Sequence, residues 1–237
     1  LILNHSLFLF RKNGSELVDI IYRHLKGLVM SIKLLSTEVS SKIAAGEVIE
    51  RPSSVVKELI ENSLDAGADN ISIAIDEGGI ELISITDNGI GIESKEVELA
   101  FKRYSTSKIS SIESLNNIST LGFRGEALAS ISSVSRLTLI TRSKNNDYGT
   151  KIILNNGLIT EVVGTGAPLG TSISVENLFG NFPARKKFLR SAKSEFLKIK
   201  PIVTKYSLAF PEVKFTLTHN DRVSFQSPGS KRIRDVI

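Results

Sequence analysis

The stretch Val55-Val56-Lys57-Glu58-Leu59-Ile60-Glu61-Asn62-Ser63-Leu64-Asp65-Ala66-Gly67 decides how this chain folds. Val55, Val56, Leu59, Ile60 and Leu64 recur at helical spacing, which predicts one amphipathic helix with an apolar stripe. Pro52 suits the first turn, where its missing N–H costs nothing, and Gly67 suits the stop. Glu58 and Asn62 lie four apart and therefore stack at the flank of the stripe. A carboxylate so placed can take a proton from water. An amide oxygen beside it is a hard ligand of the kind Mg²⁺ accepts while keeping most of its waters. The same pair also fits an ordinary solvated helix face, and the helix alone does not choose.

Working outward, Ser36 to Glu50 predicts a second helix through Val39, Ile43, Ala44 and Val48. On the other side, Ile71-Ser72-Ile73-Ala74-Ile75 alternates with period two and reads as a strand, Glu77-Gly78-Gly79 as a turn, and Glu81 to Asp87 as a second strand. Ile83, Ile85 and Asp87 share one face of it, and an aspartate on an apolar face is costly unless something bonds it. It either caps its own loop or waits for a donor. Asp87-Asn88-Gly89-Ile90-Gly91 then offers two glycines, which let backbone approach a ligand closely but also describe many turns.

A short helix is expected around Val97 to Tyr104, followed by the polar run Ser105 to Ser111, which reads as a mobile lid-like loop. Gly122-Phe123-Arg124-Gly125-Glu126-Ala127-Leu128 opens a helix running to about Ser133. Two glycines ahead of a helix start leave N–H groups that suit an anion, although a plain helix entry looks the same. Strands are expected at Leu137–Thr141, Lys151–Leu154, Ile159–Val163 and Thr171–Val175, a helix over 185–209, and two further strands at Lys214–Thr218 and Arg222–Gln226.

The 237 residues suffice for one large domain or slightly more, and 41% hydrophobic content supports a packed core. With no cysteine there is no disulfide, thiol nucleophile or cysteine-bound zinc, which fits a reducing compartment. His5, His24 and His219 are scattered, which argues against a histidine-rich metal site. The net charge is +5, and Arg185, Lys186, Lys187, Arg190, Lys193, Lys198, Lys200 and Lys205 face only Glu195 between 181 and 205. That stretch reads either as a solvated helix or as a phosphate-binding face. No apolar run reaches bilayer length, and Leu1 to Phe10, with its positive charges after it, makes a poor signal peptide.

The sequence lacks Gly-x-x-x-x-Gly-Lys-Ser/Thr and lacks Gly-x-Gly-x-x-Gly after a strand. Instead, Glu58-x-x-x-Asn62, Asp87-x-Gly89-x-Gly91 and Gly122-x-x-Gly125 follow one another. In that order they resemble the ATPase family of gyrase B, the heat-shock 90 kDa chaperone, histidine kinases and MutL. Ile43 to Pro52, Glu58 to Gly67, Gly122 to Arg136 and Pro183-Ala184-Arg185-Lys186-Lys187-Phe188-Leu189 are similar to the N-terminal ATPase region of MutL mismatch-repair proteins, a match running from about Met30 to the end. Gly180 and Phe182 depart from residue types common in that family, at positions with no expected catalytic role.

The resemblance implies ATP and Mg²⁺ as cofactors, with Glu58 as general base and Asn62 as metal ligand. It implies Asp87 as acceptor of the adenine amino group, with Ala66 and Gly91 bordering the base and Thr171 supporting Asp87. Thr106, Ser107 and Lys108 would belong to the lid, and Gly122, Phe123, Arg124, Gly125, Glu126, Ala127 and Leu128 would serve the phosphates. Arg185, Lys186, Lys187 and Arg190 are the candidate DNA contacts. The expected fold is an α/β (α+β) sandwich, a mixed, largely antiparallel sheet with helices on one face. Residues 1–29 would be an extension outside the match, 30–210 the ATPase domain, and 211–237 the start of a second domain whose strands lack most of their sheet. The family's γ-phosphate lysine is expected beyond Ile237.

The implied function is ATP-gated dimerisation that passes a mismatch signal onward, with slow hydrolysis as reset. Implied partners are a second copy or a related subunit, a mismatch-recognition protein, a downstream nuclease or helicase, and DNA, with no membrane. The implied location is cytoplasmic and nucleoid-associated in a bacterium, nuclear in a eukaryote. The rival from another class is a DNA-binding scaffold using 181–205, against which the presence of Glu58 argues. A topoisomerase or chaperone ATPase is disfavoured by Gly122 to Arg136.

Overall fold

A computed structural model describes Leu34 and residues 48–108, 120–122 and 124–236. All but Leu34 fall within one unit, Glu38–Ile237. Residues 1–29, all but the last three residues of the helix expected over Ser36 to Glu50, the end of the polar run and Phe123 lie outside the described residues.

The deciding stretch forms α1, Pro52–Asp65, with Pro52 in its first turn. It ends as the sequence expects. Gly67, at φ +71°, allows its own N–H to bond Leu64 O at 2.9 Å and the Ala68 N–H to bond Ser63 O at 3.1 Å. The other elements are β1 (Asn70–Asp76), β2 (Leu82–Asp87), α2 (Ala127–Ser133), β3 (Arg136–Arg142), β4 (Gly149–Asn155) and β5 (Leu158–Thr165). After them come β6 (Gly170–Glu176), α3 (Pro183–Lys186), α4 (Ala192–Ala209), β7 (Lys214–His219) and β8 (Arg222–Gln226).

The eight strands form one sheet in the order β5-β4-β3-β6-β2-β1-β7-β8. Among the described residues, only the β1–β7 pair runs parallel. Strand alternation sorts the side chains into rows, and the register aligns those rows across the sheet. Leu217, Ile73, Ile85, Ile173, Leu139 and Ile152 form one buried row. Beside it runs Phe215, Ile71, Asp87, Thr171, Thr141 and Thr150, in which apolar residues give way to polar ones from β2 onward. The opposite face is a hydroxyl surface, with Thr86 and Ser172 hydroxyls 2.9 Å apart and those of Ser84 and Ser174 3.3 Å apart. α1, α2 and α4 bury Leu59, Ile60, Ile131, Ile199 and Val203 in the same core as the apolar rows. Each such side chain contributes roughly 1.5–3 kcal/mol relative to exposure.

Three expectations change. The helix over 185–209 is two, because Ser191 breaks out in extended conformation and caps α4, its Oγ accepting the Ser194 N–H at 3.3 Å. The helix around Val97 to Tyr104 is replaced by two short 3₁₀ turns, Ser94–Glu96 and Leu99–Phe101. The strands after Pro211 do not lack their sheet, since β7 pairs along its whole length with β1 and β8 with β7. The boundary expected there falls between α4 and β7 of one sheet.

Glu195, fully buried near the start of α4, ties the two long helices together. It accepts from the Arg190 N–H at 3.0 Å and Lys198 Nζ at 2.9 Å, with Arg51, ahead of α1, at 3.6 Å. Burial pushes its pKa up, but Lys198, the Arg190 N–H and Arg51 together hold it below the usual carboxylate range.

Candidate functional site

The polar end of the mixed row is where β2 stops. Asp87 accepts the Ser63 hydroxyl at 2.9 Å, the Gly89 N–H at 2.9 Å and the Thr171 N–H. Burial raises its pKa, and the three donors only partly offset this. Thr171 and Thr141 hydroxyls lie 3.0 Å apart, and Thr141 also accepts the Ile92 N–H at 2.9 Å while reaching Gly170 O at 3.1 Å. Gly91 has φ +69°, and a Cβ there would stand 2.2 Å from Arg142 O, so the loop after β2 lies flat against the end of β3. Ala66 closes the other flank: its carbonyl accepts the Ile90 N–H at 3.0 Å, and a Cβ on Gly89 would meet its methyl at 2.8 Å. The result is a rigid acceptor framed by backbone.

The exposed flank of α1 is charged. Glu58 and Asn62 are half-buried. Lys57 Nζ stands 3.5 Å from Glu58 and 2.9 Å from Glu61, and Glu61 is nearly buried and also accepts a short hydrogen bond from the Tyr206 hydroxyl of α4. Burial and this carboxylate push the Tyr206 pKa up. Further along, Lys108 Nζ donates to Asn62 Oδ1 at 3.0 Å and to Asp65 Oδ2 at 2.6 Å. Asp65 also accepts the Leu121 N–H at 2.9 Å and the Gly122 N–H at 3.1 Å. The glycine loop expected to offer free N–H groups therefore spends the Gly122 one on a carboxylate of the same chain.

The other expected residues are distributed around these two ends. Thr106 Oγ1 accepts the Lys108 N–H at 3.1 Å, while Ser107 and Arg124 are exposed. Gly125 lies against the Ser105 backbone. Glu126 precedes α2 and its carbonyl accepts the Ser130 N–H at 2.8 Å; Ala127 begins the helix and Leu128 packs on the core. In the basic stretch, Lys186, Lys187 and Arg190 are exposed, with Phe188 84% exposed beside them, but Arg185 is half-buried over the Phe182 ring at 5.4 Å. Among the described residues, no group of three or more His, Cys, Asp or Glu converges as a metal cluster.

Sequence reasoning missed Ser63, Thr141, Asp65, Glu61 and Tyr206. The spacing of Glu58, Glu61 and Asp65, three and then four apart, could have marked an acidic helix flank. Lys57 is a local partner of Glu58 and Glu61, but Tyr206, Lys108, Leu121 and Gly122 come from distant segments and leave no local signal.

The oxygens of Asn62 and Asp65 already converge on one cation, the Lys108 ammonium, so this end has the donor chemistry a hard metal ion requires. Asp87 can receive an amino donor, and backbone N–H groups face an anion near Asn62.

Residues 49–165 match the family model for histidine kinase-, DNA gyrase B- and HSP90-like ATPases. The chain is 49% identical over 205 residues to the DNA mismatch repair protein MutL of Desulforamulus reducens, covering 86% of this chain and 32% of that one. It is 53% identical over 195 residues to that of Histophilus somni, covering 82% and 32%. It thus spans about a third of the length of these relatives. The solved Aquifex aeolicus MutL ATPase domain complexed with ADP superposes with a TM-score of 0.66 at 36% identity, covering 78% of this chain and 66% of that one.

Proposed function

This chain belongs to the MutL family of DNA mismatch repair proteins, and on that premise we propose that it binds ATP with Mg²⁺ and hydrolyses it slowly. One observation carries the reading: the Ser63–Asp87 hydrogen bond sets the helix bearing Glu58 and Asn62 directly on the strand end bearing Asp87. A base acceptor and a hydrolytic carboxylate thereby share one site.

Asp87 accepts the adenine amino group, its carboxylate fixed by Ser63, Gly89 and Thr171 so that little rearrangement is needed on binding. Ala66 and Gly91 hold the flanking loop in place. Asn62 supplies a protein oxygen to Mg²⁺, which when bound provides the positive charge that phosphoryl transfer demands. Glu58 takes the proton of the attacking water, and its half-exposed place on α1 leaves it within reach of solvent. Lys108 and the N–H groups after Thr120 turn toward the phosphates. Nucleotide binding favours dimerisation of the chain, and the dimer passes the mismatch signal to other repair proteins. Exposed Lys186, Lys187 and Arg190 give DNA a sequence-independent contact.

Titration calorimetry with ADP, with and without Mg²⁺, followed by a turnover assay with and without DNA, tests this. Nucleotide binding strengthened by Mg²⁺, with measurable turnover, is the expected result. Absence of binding in both conditions would overturn it, and DNA binding without any nucleotide response would favour a scaffold instead.

A further inference from the structure

Asp65 occupies the last turn of α1, where the helix dipole disfavours negative charge. Its side chain is 8% exposed. A carboxylate in that place is retained only if donors compensate it, and three do: Lys108 Nζ at 2.6 Å, the Gly122 N–H at 3.1 Å and the Leu121 N–H at 2.9 Å. An ammonium and consecutive backbone N–H groups are what a phosphate also seeks. The Lys108 ammonium, in turn, rests on Asn62 Oδ1 at 3.0 Å. Gly122 seals the arrangement from the side: a Cβ there would lie 3.3 Å from Lys108 Nζ and 3.8 Å from Asp65 Oδ2.

Resting on the nucleotide-binding reading above, we propose that Asp65 is an internal competitor of the nucleotide phosphates. It holds Lys108 and the Leu121–Gly122 N–H groups in the nucleotide-free protein, and so keeps the metal-ligand oxygen of Asn62 covered. A cation and an anion of the chain occupy the places of the two charged components of the ligand. Metal and nucleotide therefore each make the entry of the other easier, and either one alone binds more weakly. Phosphate alone would face Asp65, and metal alone would face Lys108. Asp65 is a positioning residue in this scheme, because it acts through Lys108 and the loop. It sets a threshold on affinity, since the ligand displaces an existing set of charge-assisted bonds before it gains its own.

Asp65→Asn and Asp65→Ser test the proposal, with circular dichroism as the check on folding. Two readouts are needed. The first is labelling of Lys108 by an amine-reactive reagent in the nucleotide-free protein, read by mass spectrometry. Lys108 should be protected in the wild type and label at least about fivefold faster in both variants, as expected when the partner of a charge-assisted hydrogen bond is removed. The second is calorimetry with ADP and Mg²⁺, where the variants should bind about tenfold more tightly, the scale of one such bond. Unchanged labelling would overturn the latch even if binding tightened, because loss of a nearby negative charge alone would tighten binding without freeing Lys108. Unchanged or weaker binding would overturn it as well, marking Asp65 as part of the bound site or as inert. Absence of binding by the wild type would instead remove the nucleotide reading on which the latch rests.

Discussion

The two ends of the candidate site are built on opposite principles. At the end of β2, Asp87 is held by a serine hydroxyl and two backbone N–H groups, all fixed by the sheet register and the seating of α1. At the end of α1, Asp65 and Asn62 are held by a lysine side chain with four rotatable bonds and by two loop N–H groups. The first acceptor is satisfied by neutral donors that leave it one face to offer. The second is satisfied by the same kinds of groups that a phosphate would use. Discrimination of the base can therefore be rigid, while recognition of charge has to be an exchange of partners.

The largest test of this contrast removes the chemistry and leaves both ends intact. Glu58→Ala should lower turnover roughly 10²–10⁴-fold while nucleotide affinity stays near wild type. A variant that turns over normally would take Glu58 out of the mechanism. Next, Asp87→Ala attacks the rigid end alone. The loss of a hydrogen bond to a charged acceptor should weaken adenine nucleotide binding about 10- to 100-fold, with the gain from Mg²⁺ unchanged. Competition between ADP and GDP would report it, since preference for adenine should vanish. Asn62→Ala attacks the exchangeable end. The difference in ADP affinity with and without Mg²⁺, about tenfold for one charge-assisted contact, should collapse while metal-free affinity holds. If Asp87→Ala altered the metal dependence, or Asn62→Ala altered the base preference, the two ends would not be separable.

The smallest effect is a slope with pH. Asp87 has a raised native pKa, so the folded protein takes up its proton before the unfolded chain does. That group adds stability as pH falls through its native value toward the ordinary aspartate range. Glu195 has a lowered native pKa. Its contribution is full above the ordinary glutamate value near 4.3 and is lost as pH falls through the native one. Thermal melts of Glu195→Gln against wild type should show a deficit at neutral pH that narrows on acidification. For Asp87→Asn the difference should instead drift in favour of wild type as pH falls.

How far the sequence carried differs between the same two ends. The alternation Ile83, Ile85, Asp87 already showed an aspartate on a buried face in need of donors, because strand periodicity is local. That Thr171 lies opposite it required the register of β2 on β6, and Thr141 the register of β6 on β3. Those pairings came through the family resemblance or not at all. The helix α1, its proline start and its glycine stop were fully legible, since each rests on spacing within one turn. Asp65 was not, because its partners sit in segments far along the chain. The joining of β7 to β1 was misjudged for a related reason. Parallel pairing of distant strands leaves no turn signal, and the proline at 211 looked like a seam when it is only the entry to the next strand of the same sheet.

That parallel pair has a consequence for how the protein comes to be folded. β1 and β2 are neighbours in sequence and pair as a local hairpin, and β6 closes the other edge of β2. The other edge of β1 has no partner until Lys214 to His219 arrives, although Asn70 is long since made. Pairings so remote in sequence form slowly, because the loop between them is closed before any contact rewards it. During that interval the nascent chain carries an open strand edge, the state in which strands recruit one another between molecules. Completion of the sheet that carries the site thus waits on a strand that lends the site no side chain.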